Sequence, residues 1–134
     1  MLKLTLIRDI ATAFNTVLTK LNDALIAKRI EGTLEYSFTV DYTSWLTPIW
    51  ETHLAEFKEK QNVHFLDIGC FGGRSSLWFL ENILTHPTSS ITCVDSFSRK
   101  GWEPRFDHNI RISDFSKKVT KIKGKSEDVL PSLK

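Results

Sequence analysis

A short apolar segment that runs into a cluster of glycines is the feature that most constrains this chain. Residues 63–68 are mostly apolar, glycines stand at 69, 72 and 73, and apolar residues at helical spacing follow between residues 75 and 84. This order predicts a strand, a tight turn and a helix. In open parallel α/β sheets, such a unit places a ligand crevice at the carboxyl end of the strand.

Two more strands are predicted downstream of this unit. Residues 91–94 form a buried strand that ends at Asp95, residues 119–123 form a third, and the apolar spacing around Phe106 and Ile110 indicates a helix between them. A further helix is expected to start near residue 126, capped by Ser126. The alternation of strands and helices predicts an α/β fold, a Rossmann-like parallel sheet whose first three strands have the order 3-2-1.

The sequence before this unit predicts a helical region. We assign residues 1–60 to an N-terminal helical or cap region and residues 61–134 to a partial Rossmann-like domain. A helix is predicted from Leu4 to about Ile30, where Gly32 ends it. We expect this helix to pack on the core, and a helix–helix oligomer seam is the alternative. The apolar residues of its stripe step alternately by four and three: Ile7, Ala11, Phe14, Leu18, Leu21 and Leu25.

The connection to the first strand is less regular. Residues 33–42 alternate between apolar and polar side chains, which predicts either a strand or an extended arm. A second amphipathic helix is predicted from Trp45 to Phe57, with Pro48 in its first turn. Ordinary core packing is expected for Trp45 and Trp50, and the alternative is that they wall a ligand pocket.

Composition and charge exclude several classes of protein. The formal net charge of +2 offers no argument for a nucleic-acid or membrane partner. No segment approaches the roughly 18 uninterrupted apolar residues of a membrane span, and the first residues do not resemble a signal peptide. Two cysteines, Cys70 and Cys93, make neither a disulfide framework nor a zinc motif. A cytoplasmic protein with reduced thiols is therefore expected.

The spacing of the glycines distinguishes two cofactor classes. A dinucleotide fingerprint that starts at Gly69 requires glycine at positions 71 and 74, where this chain has Phe71 and Arg74. A methyltransferase turn requires an acidic residue at 67 and glycines at 69, 71 and 73, and only Phe71 departs from that pattern. Asp67 would also repel a pyrophosphate, whereas it would attract an amino group. The spacing thus favours a methyltransferase over a nicotinamide-dependent oxidoreductase.

Residues 63–133 resemble the class I S-adenosylmethionine-dependent methyltransferases, especially their small-molecule O-methyltransferase-like members. The resemblance implies S-adenosylmethionine as the cofactor and a small molecule as the methyl acceptor. It implies that the turn holds the aminocarboxypropyl group, that the acid after the second strand holds the ribose, and that residues near 125–126 meet the adenine, where Lys125 is a departure. The implied cofactor contacts are Asp67, Gly69, Cys70, Phe71, Gly73, Arg74, Ser75, Asp95, Ser96 and Ser126.

The resemblance identifies no catalytic residue. In the family, substrate contacts and any metal ligands come largely from the fourth strand onward, and this sequence ends at Lys134, just after the third. We therefore expect a domain truncated after its third strand, and we assign no catalytic base and no metal ligand. The alternative is a non-catalytic interaction module that forms a homo-oligomer through the open sheet edge at the first strand.

Overall fold

A computed structural model describes residues 2–133 of the chain, with side chains from residue 4 onward. Short 3-10 turns at Ala55–Phe57, Ser116–Lys118 and Leu130–Ser132 supplement the regular elements. The helices are α1 (Leu2–Ile30), α2 (Thr47–His53), α3 (Arg74–Asn82), α4 (Trp102–Ile112) and α5 (Ser126–Val129). The strands are β1 (His64–Ile68), β2 (Ser90–Asp95) and β3 (Val119–Lys123).

The three strands form one parallel sheet in the order β1-β2-β3. The β1–β2 pairing aligns Asp67 with Cys93, and the β2–β3 pairing aligns Asp95 with Lys123. The central strand β2 is buried along nearly its whole length, as a strand covered on both faces must be. The predicted Rossmann-like α/β fold is thereby confirmed, with the strand order expected from the sequence.

The core lies where α3 and α4 meet the sheet. Leu77 and Leu80 of α3, Ile91 of β2, and Phe106 and Ile110 of α4 are buried in one apolar cluster. Phe106 is 1% exposed and lies directly against the glycine turn, because a Cβ built on Gly73 would be 3.1 Å from its ring. The core thus fixes the start of α3 relative to α4.

The segment between α1 and α2 is an irregular arm without a strand, which decides between the two predictions for residues 33–42. The side chain of Asn109 in α4 holds the arm in place. Its Oδ1 accepts the Ser37 N–H at 2.7 Å, while its Nδ2 donates to the carbonyl of Ser37 at 3.1 Å and to that of Gly72 at 2.8 Å. His108 adds a contact of 2.9 Å from Nε2 to the carbonyl of Glu35. The arm is therefore fastened beside the glycine turn.

The first helix does not pack as the sequence led us to expect. α1 runs over the predicted residues, but its apolar stripe faces solvent: Phe14 is 62% exposed and Leu21 is 57% exposed. Only the last part of α1 contacts α4, and it uses the other face of the helix, with Asn22, Asp23 and Ile26 partly covered. The expectation of core packing for this stripe is therefore wrong.

The second predicted helix is shorter than expected. α2 ends at His53, and a 3-10 turn continues the chain to Phe57. Pro48 lies in the first turn, where its missing N–H has no cost. None of the helices that the structure describes between residues 2 and 133 is long and apolar enough to cross a membrane.

The two neighbouring glycines of the turn differ in what they tolerate. Gly73 has φ +85°, and a Cβ there would be in tight contact with Phe106 at 3.1 Å, whereas a Cβ on Gly72 would meet only ordinary contacts of 3.8 Å or more. We expect Gly73→Ala to lower the free energy of unfolding by at least about 1–2 kcal/mol, because an L-residue is strained at positive φ. Gly72→Ala is the matched control and should change it by less than about 0.5 kcal/mol. Urea denaturation of both variants measures the difference, and equal effects would contradict the prediction.

Candidate active site at the carboxyl ends of the strands

A cavity of about 600 Å³ opens at the carboxyl ends of the three strands. Its walls come from the ends of β1 and β2, the turn after β1, the loop that leads into α4, the start of α5, and the arm. This is the place at which open parallel sheets bind ligands. The lining residues are Tyr42, Ile68, Gly69, Phe71, Val94, Asp95, Ser96, Ser98, Arg99, Trp102, Gly124, Lys125, Ser126 and Glu127.

The turn after β1 is built from residues in the left-handed region of backbone conformation. Gly69, Phe71 and Gly73 have φ of 76°, 49° and 85°. Phe71 therefore adopts a conformation that glycine favours, at the one position where this chain departs from the expected glycine pattern of the turn. The strain of roughly 1–2 kcal/mol in an L-residue is offset by a hydrogen bond of 3.0 Å from the Phe71 N–H to Oδ2 of Asp95.

Asp95 lies at the end of β2 and joins two loops. Its Oδ2 accepts the N–H of Phe71, from the turn after β1, and its Oδ1 accepts the N–H of Phe97 at 2.7 Å, from the loop after β2. The residue is 7% exposed and lines the cavity. A carboxylate offers about four lone-pair sites, so two remain for hydroxyl donors of a ligand.

Asp67 has a different environment from Asp95. Its Oδ2 accepts the hydroxyls of Ser75 at 2.8 Å and of Ser76 at 2.6 Å, both in the first turn of α3. Its side chain thus joins the end of β1 to the start of α3, and it does not line the large cavity. Burial raises the pKa of Asp67, the two serine hydroxyls lower it, and the charge of Asp95 raises it further.

The raised pKa of Asp67 predicts a pH dependence of stability. The contribution of this group is fully present below the pKa of an unfolded aspartate, about 3.9, and is lost as the pH rises through the raised pKa of the folded state. Asp67→Asn keeps an oxygen that accepts from both serines and removes this loss. We expect the unfolding free energy of the variant, minus that of the parent, to increase as the pH rises from 4 towards 7.

Urea denaturation at several pH values tests this expectation. The matched control for removing one carboxylate is Asp114→Asn, at an exposed position after α4. A difference between Asp67→Asn and the parent that stays constant or shrinks with rising pH would contradict the assignment of a buried, destabilised charge.

Several predicted contacts lie on the other side of the turn from the large cavity. Cys70, Arg74 and Ser75 line a small cavity of about 30 Å³ between the turn and the arm. The guanidinium of Arg74 lies 4.2 Å from the ring centre of Phe38 and 3.9 Å from Oδ2 of Asp41. Arg74 therefore binds the arm in this structure.

Cys70 has the properties of a buried structural thiol. The neighbouring thiol of Cys93 and burial raise its pKa, so the thiol stays protonated at neutral pH and is a poor nucleophile. Both cysteines are free and buried.

The end of β3 supplies the other side of the large cavity. Ser126 lines it there, and Ser96 lines it from the end of β2. Ser126 does not cap α5, contrary to the prediction, because it is the first residue of that helix; Lys125 precedes it as the N-cap without a side-chain hydrogen bond. The serine hydroxyl is therefore not engaged as a cap.

Tyr42 and Trp102, which form an aromatic wall of the cavity with the predicted Phe71, were missed by sequence reasoning. The ring of Phe71 lies 4.3 Å from that of Trp102 and 5.8 Å from that of Tyr42, between ring centres. Neither Trp45 nor Trp50 lines the cavity. The expected core packing holds for Trp50, which packs on Phe79, and is wrong for Trp45, which is 69% exposed. Tyr42 lies between polar residues and Trp102 directly follows Gly101. Neither belongs to a periodic apolar pattern that would have marked it as part of a site.

The charges around the cavity are balanced. Arg99 lies 5.1 Å from the ring centre of Trp102, and Lys125 pairs with Glu127 at 3.8 Å. Asp95 adds a second carboxylate. Such a lining does not concentrate positive charge as a pyrophosphate site would. Within residues 2–133, no group of three or more His, Cys, Asp or Glu side chains is arranged to hold a metal ion.

Comparison with known proteins finds similarity among solved structures. No protein-family model and no curated protein matches the chain. Among solved structures, the chain is similar to the C-terminal domain of precorrin-6Y C5,15-methyltransferase from Rhodobacter capsulatus, with a TM-score of 0.51 and 20% identity. The match covers 77% of this chain and 52% of that one. The chain thus spans about half the length of a methyltransferase domain whose fold it shares.

Proposed function

We propose that this chain is a methyltransferase domain that binds S-adenosylmethionine in the large cavity and serves the methylation of a small molecule. The observation that carries the proposal is Asp95, a buried carboxylate at the end of β2 that lines the cavity and has acceptor capacity beyond its bonds to the Phe71 and Phe97 N–H groups. An acid at this position accepts both hydroxyls of a ribose in nucleoside-binding sites of this architecture.

The rest of the cavity fits a nucleoside with an amino-acid tail. Its volume of about 600 Å³ lies within the range of small-molecule sites. Gly69 leaves the backbone open for close approach, and the Phe71–Trp102 pair offers apolar surface to a base or a sulfonium group. The cofactor would supply a methyl group on a positively charged sulfur. The chain would contribute binding and orientation, from which much of the acceleration of such a displacement comes.

The fold of the similar solved structure supports the same proposal. That protein is a methyltransferase by name, and its domain is similar in fold to this chain. The side chains of Asp67, Arg74 and Ser75 lie behind the turn, so we propose that they shape the turn and the arm for the aminocarboxypropyl group rather than form the first cavity wall. Cys70 and Gly73 act through their backbone.

Calorimetric titration with S-adenosylhomocysteine tests the proposal. We expect saturable heat with one site for each chain, and no heat with NADH at the same concentration. The control variant Glu51→Gln, an exposed carboxylate in α2, should bind like the parent. Absence of heat with S-adenosylhomocysteine at millimolar concentration would contradict the proposal.

A second candidate function is favoured by the open edge of the sheet. β1 has no partner strand on its outer side among the described residues. Two of its apolar side chains, Leu66 and Ile68, are 46% and 49% exposed. Unpaired edge strands readily pair with another chain. If the titration shows no binding while Ile68→Lys abolishes self-association, a non-catalytic module that assembles through this edge is the better description.

A further inference from the structure

The exposed stripe of α1 has the spacing of a helix–helix seam. Its residues alternate in steps of three and four, so they repeat every seven residues, which is the period of left-handed coiled coils. None of these positions carries a charge. The a and d positions are Leu4, Ile7, Ala11, Phe14, Leu18, Leu21 and Leu25, and the flanking g positions are Ile10, Val17 and Ala24.

Nothing in residues 4–133 covers this stripe. Residues 4–18 of α1 are all exposed. Where Thr12 and Thr16 face Phe97 across an open pocket, they do so from the polar side of the helix. Further along, α4 occupies the opposite face, where the Asp23 carboxylate accepts the Gly101 N–H at 2.6 Å. The domain therefore contacts α1 on the face opposite the stripe, and the apolar face is exposed to solvent.

The stripe is large enough for a stable interface. Its eight large apolar side chains are each 37–74% exposed. An interface of standard size takes about 800 Å² from each partner, which is roughly 110 Å² for each of the seven large apolar side chains between Leu4 and Leu21.

The stripe is complementary to itself when two copies run antiparallel. In the register that pairs Leu4 with the Leu21 position of a second copy, Ile7 faces the Leu18 position, and Ala11 faces the Phe14 position. The smallest seam residue then lies opposite the largest, as interdigitating layers require. A parallel pair would instead place Phe14 against Phe14 and Ala11 against Ala11, which gives one crowded and one empty layer.

We propose that α1 is a dimerisation helix and that a second copy of this chain packs antiparallel on its apolar stripe. The interface is isologous, with the two-fold axis close to residues 11–14. The proposal rests on α1 alone and does not depend on the ligand of the cavity.

Sedimentation equilibrium of the full chain measures the association, and substitutions in the stripe locate it. We expect the parent to have twice the mass of one chain at micromolar concentration, and Phe14→Glu to have the mass of one chain. Thr16→Glu introduces the same charge two residues away on the polar face and should remain dimeric. Circular dichroism and the S-adenosylhomocysteine titration report separately whether the domain has stayed folded.

A compensating pair of substitutions tests the antiparallel register. Ala11→Phe should weaken dimerisation at least tenfold because it places two large rings in one layer. The double variant Ala11→Phe/Phe14→Ala restores one large and one small residue to that layer, and it should recover most of the loss. Both positions are exposed in the single chain, so folding of the domain does not confound this comparison.

Other outcomes would overturn the proposal. A parent chain that is monomeric at every concentration tested, or a dimer that resists Phe14→Glu but is lost with Ile68→Lys, would exclude α1 as the interface. Binding of a monomeric parent to phosphatidylcholine–phosphatidylglycerol vesicles, lost in Phe14→Glu, would assign the stripe to a lipid surface instead.

Discussion

Asp95→Asn is expected to weaken the binding of S-adenosylhomocysteine by about 100-fold, or roughly 2.7 kcal/mol. The carboxylate uses one oxygen for the Phe71 N–H and the other for the Phe97 N–H. An amide has only one oxygen, so its NH2 group must face one of these N–H donors. Hydrogen bonds to a charged acceptor contribute about 1.5–3 kcal/mol each, and the variant also loses its acceptor for one ribose hydroxyl.

The titration that measures this effect needs a stability control. Loss of one backbone tether is expected to lower the unfolding free energy by about 1–3 kcal/mol, so binding is measured at a temperature where the variant is folded by circular dichroism. Glu51→Gln removes one carboxylate far from the cavity and should leave the dissociation constant unchanged. An Asp95→Asn variant that binds like the parent would remove Asp95 from the cofactor site.

Phe106→Ala is expected to lower the free energy of unfolding by about 3–5 kcal/mol. The ring is 1% exposed, lies 5.5 Å from that of Phe97 between ring centres, and supports Gly73 at the start of α3. Removing it leaves a cavity between α4 and the turn that rigid neighbours cannot fill. Urea denaturation at fixed protein concentration measures the loss.

The control for this substitution is a large apolar side chain outside the core. Leu34 is 90% exposed in the arm, and Leu34→Ala should change the unfolding free energy by less than about 0.5 kcal/mol. Should Phe106→Ala cost no more than Leu34→Ala, the core described around α4 would be wrong.

The parallel sheet could be predicted because its signals are local. Each strand is a short apolar run bounded by polar or glycine residues, and residues 119–123 were assigned with the bounds that the structure has. The glycine turn was visible for the same reason: positive φ at Gly69 and Gly73 leaves a direct trace in the sequence. Asp95 could be placed at the end of β2 because it directly follows the apolar run of residues 91–94.

What could not be predicted depends on contacts between distant segments. The stripe of α1 has the same spacing whether it packs on its own domain or on another chain, so its exposure is invisible in the sequence. The side chain of Asp67 is oriented by the hydroxyls of Ser75 and Ser76, which donate to its Oδ2. These hydrogen bonds hold it towards α3 and away from the cavity. The aromatic wall could be predicted only if the arm were known to lie beside α4. That position depends on hydrogen bonds from individual side chains of α4.

The side chain of Asn109 links segments that are otherwise 37 and 72 positions away from it along the chain, Gly72 and Ser37. One amide group forms the hydrogen bonds to both segments. Moving this side chain therefore releases the arm and the turn together. The two segments should then open as one cooperative unit. A ligand held between the turn and the arm would leave when that unit opens, so the lifetime of the bound state would depend on Asn109, a side chain that does not itself line the cavity.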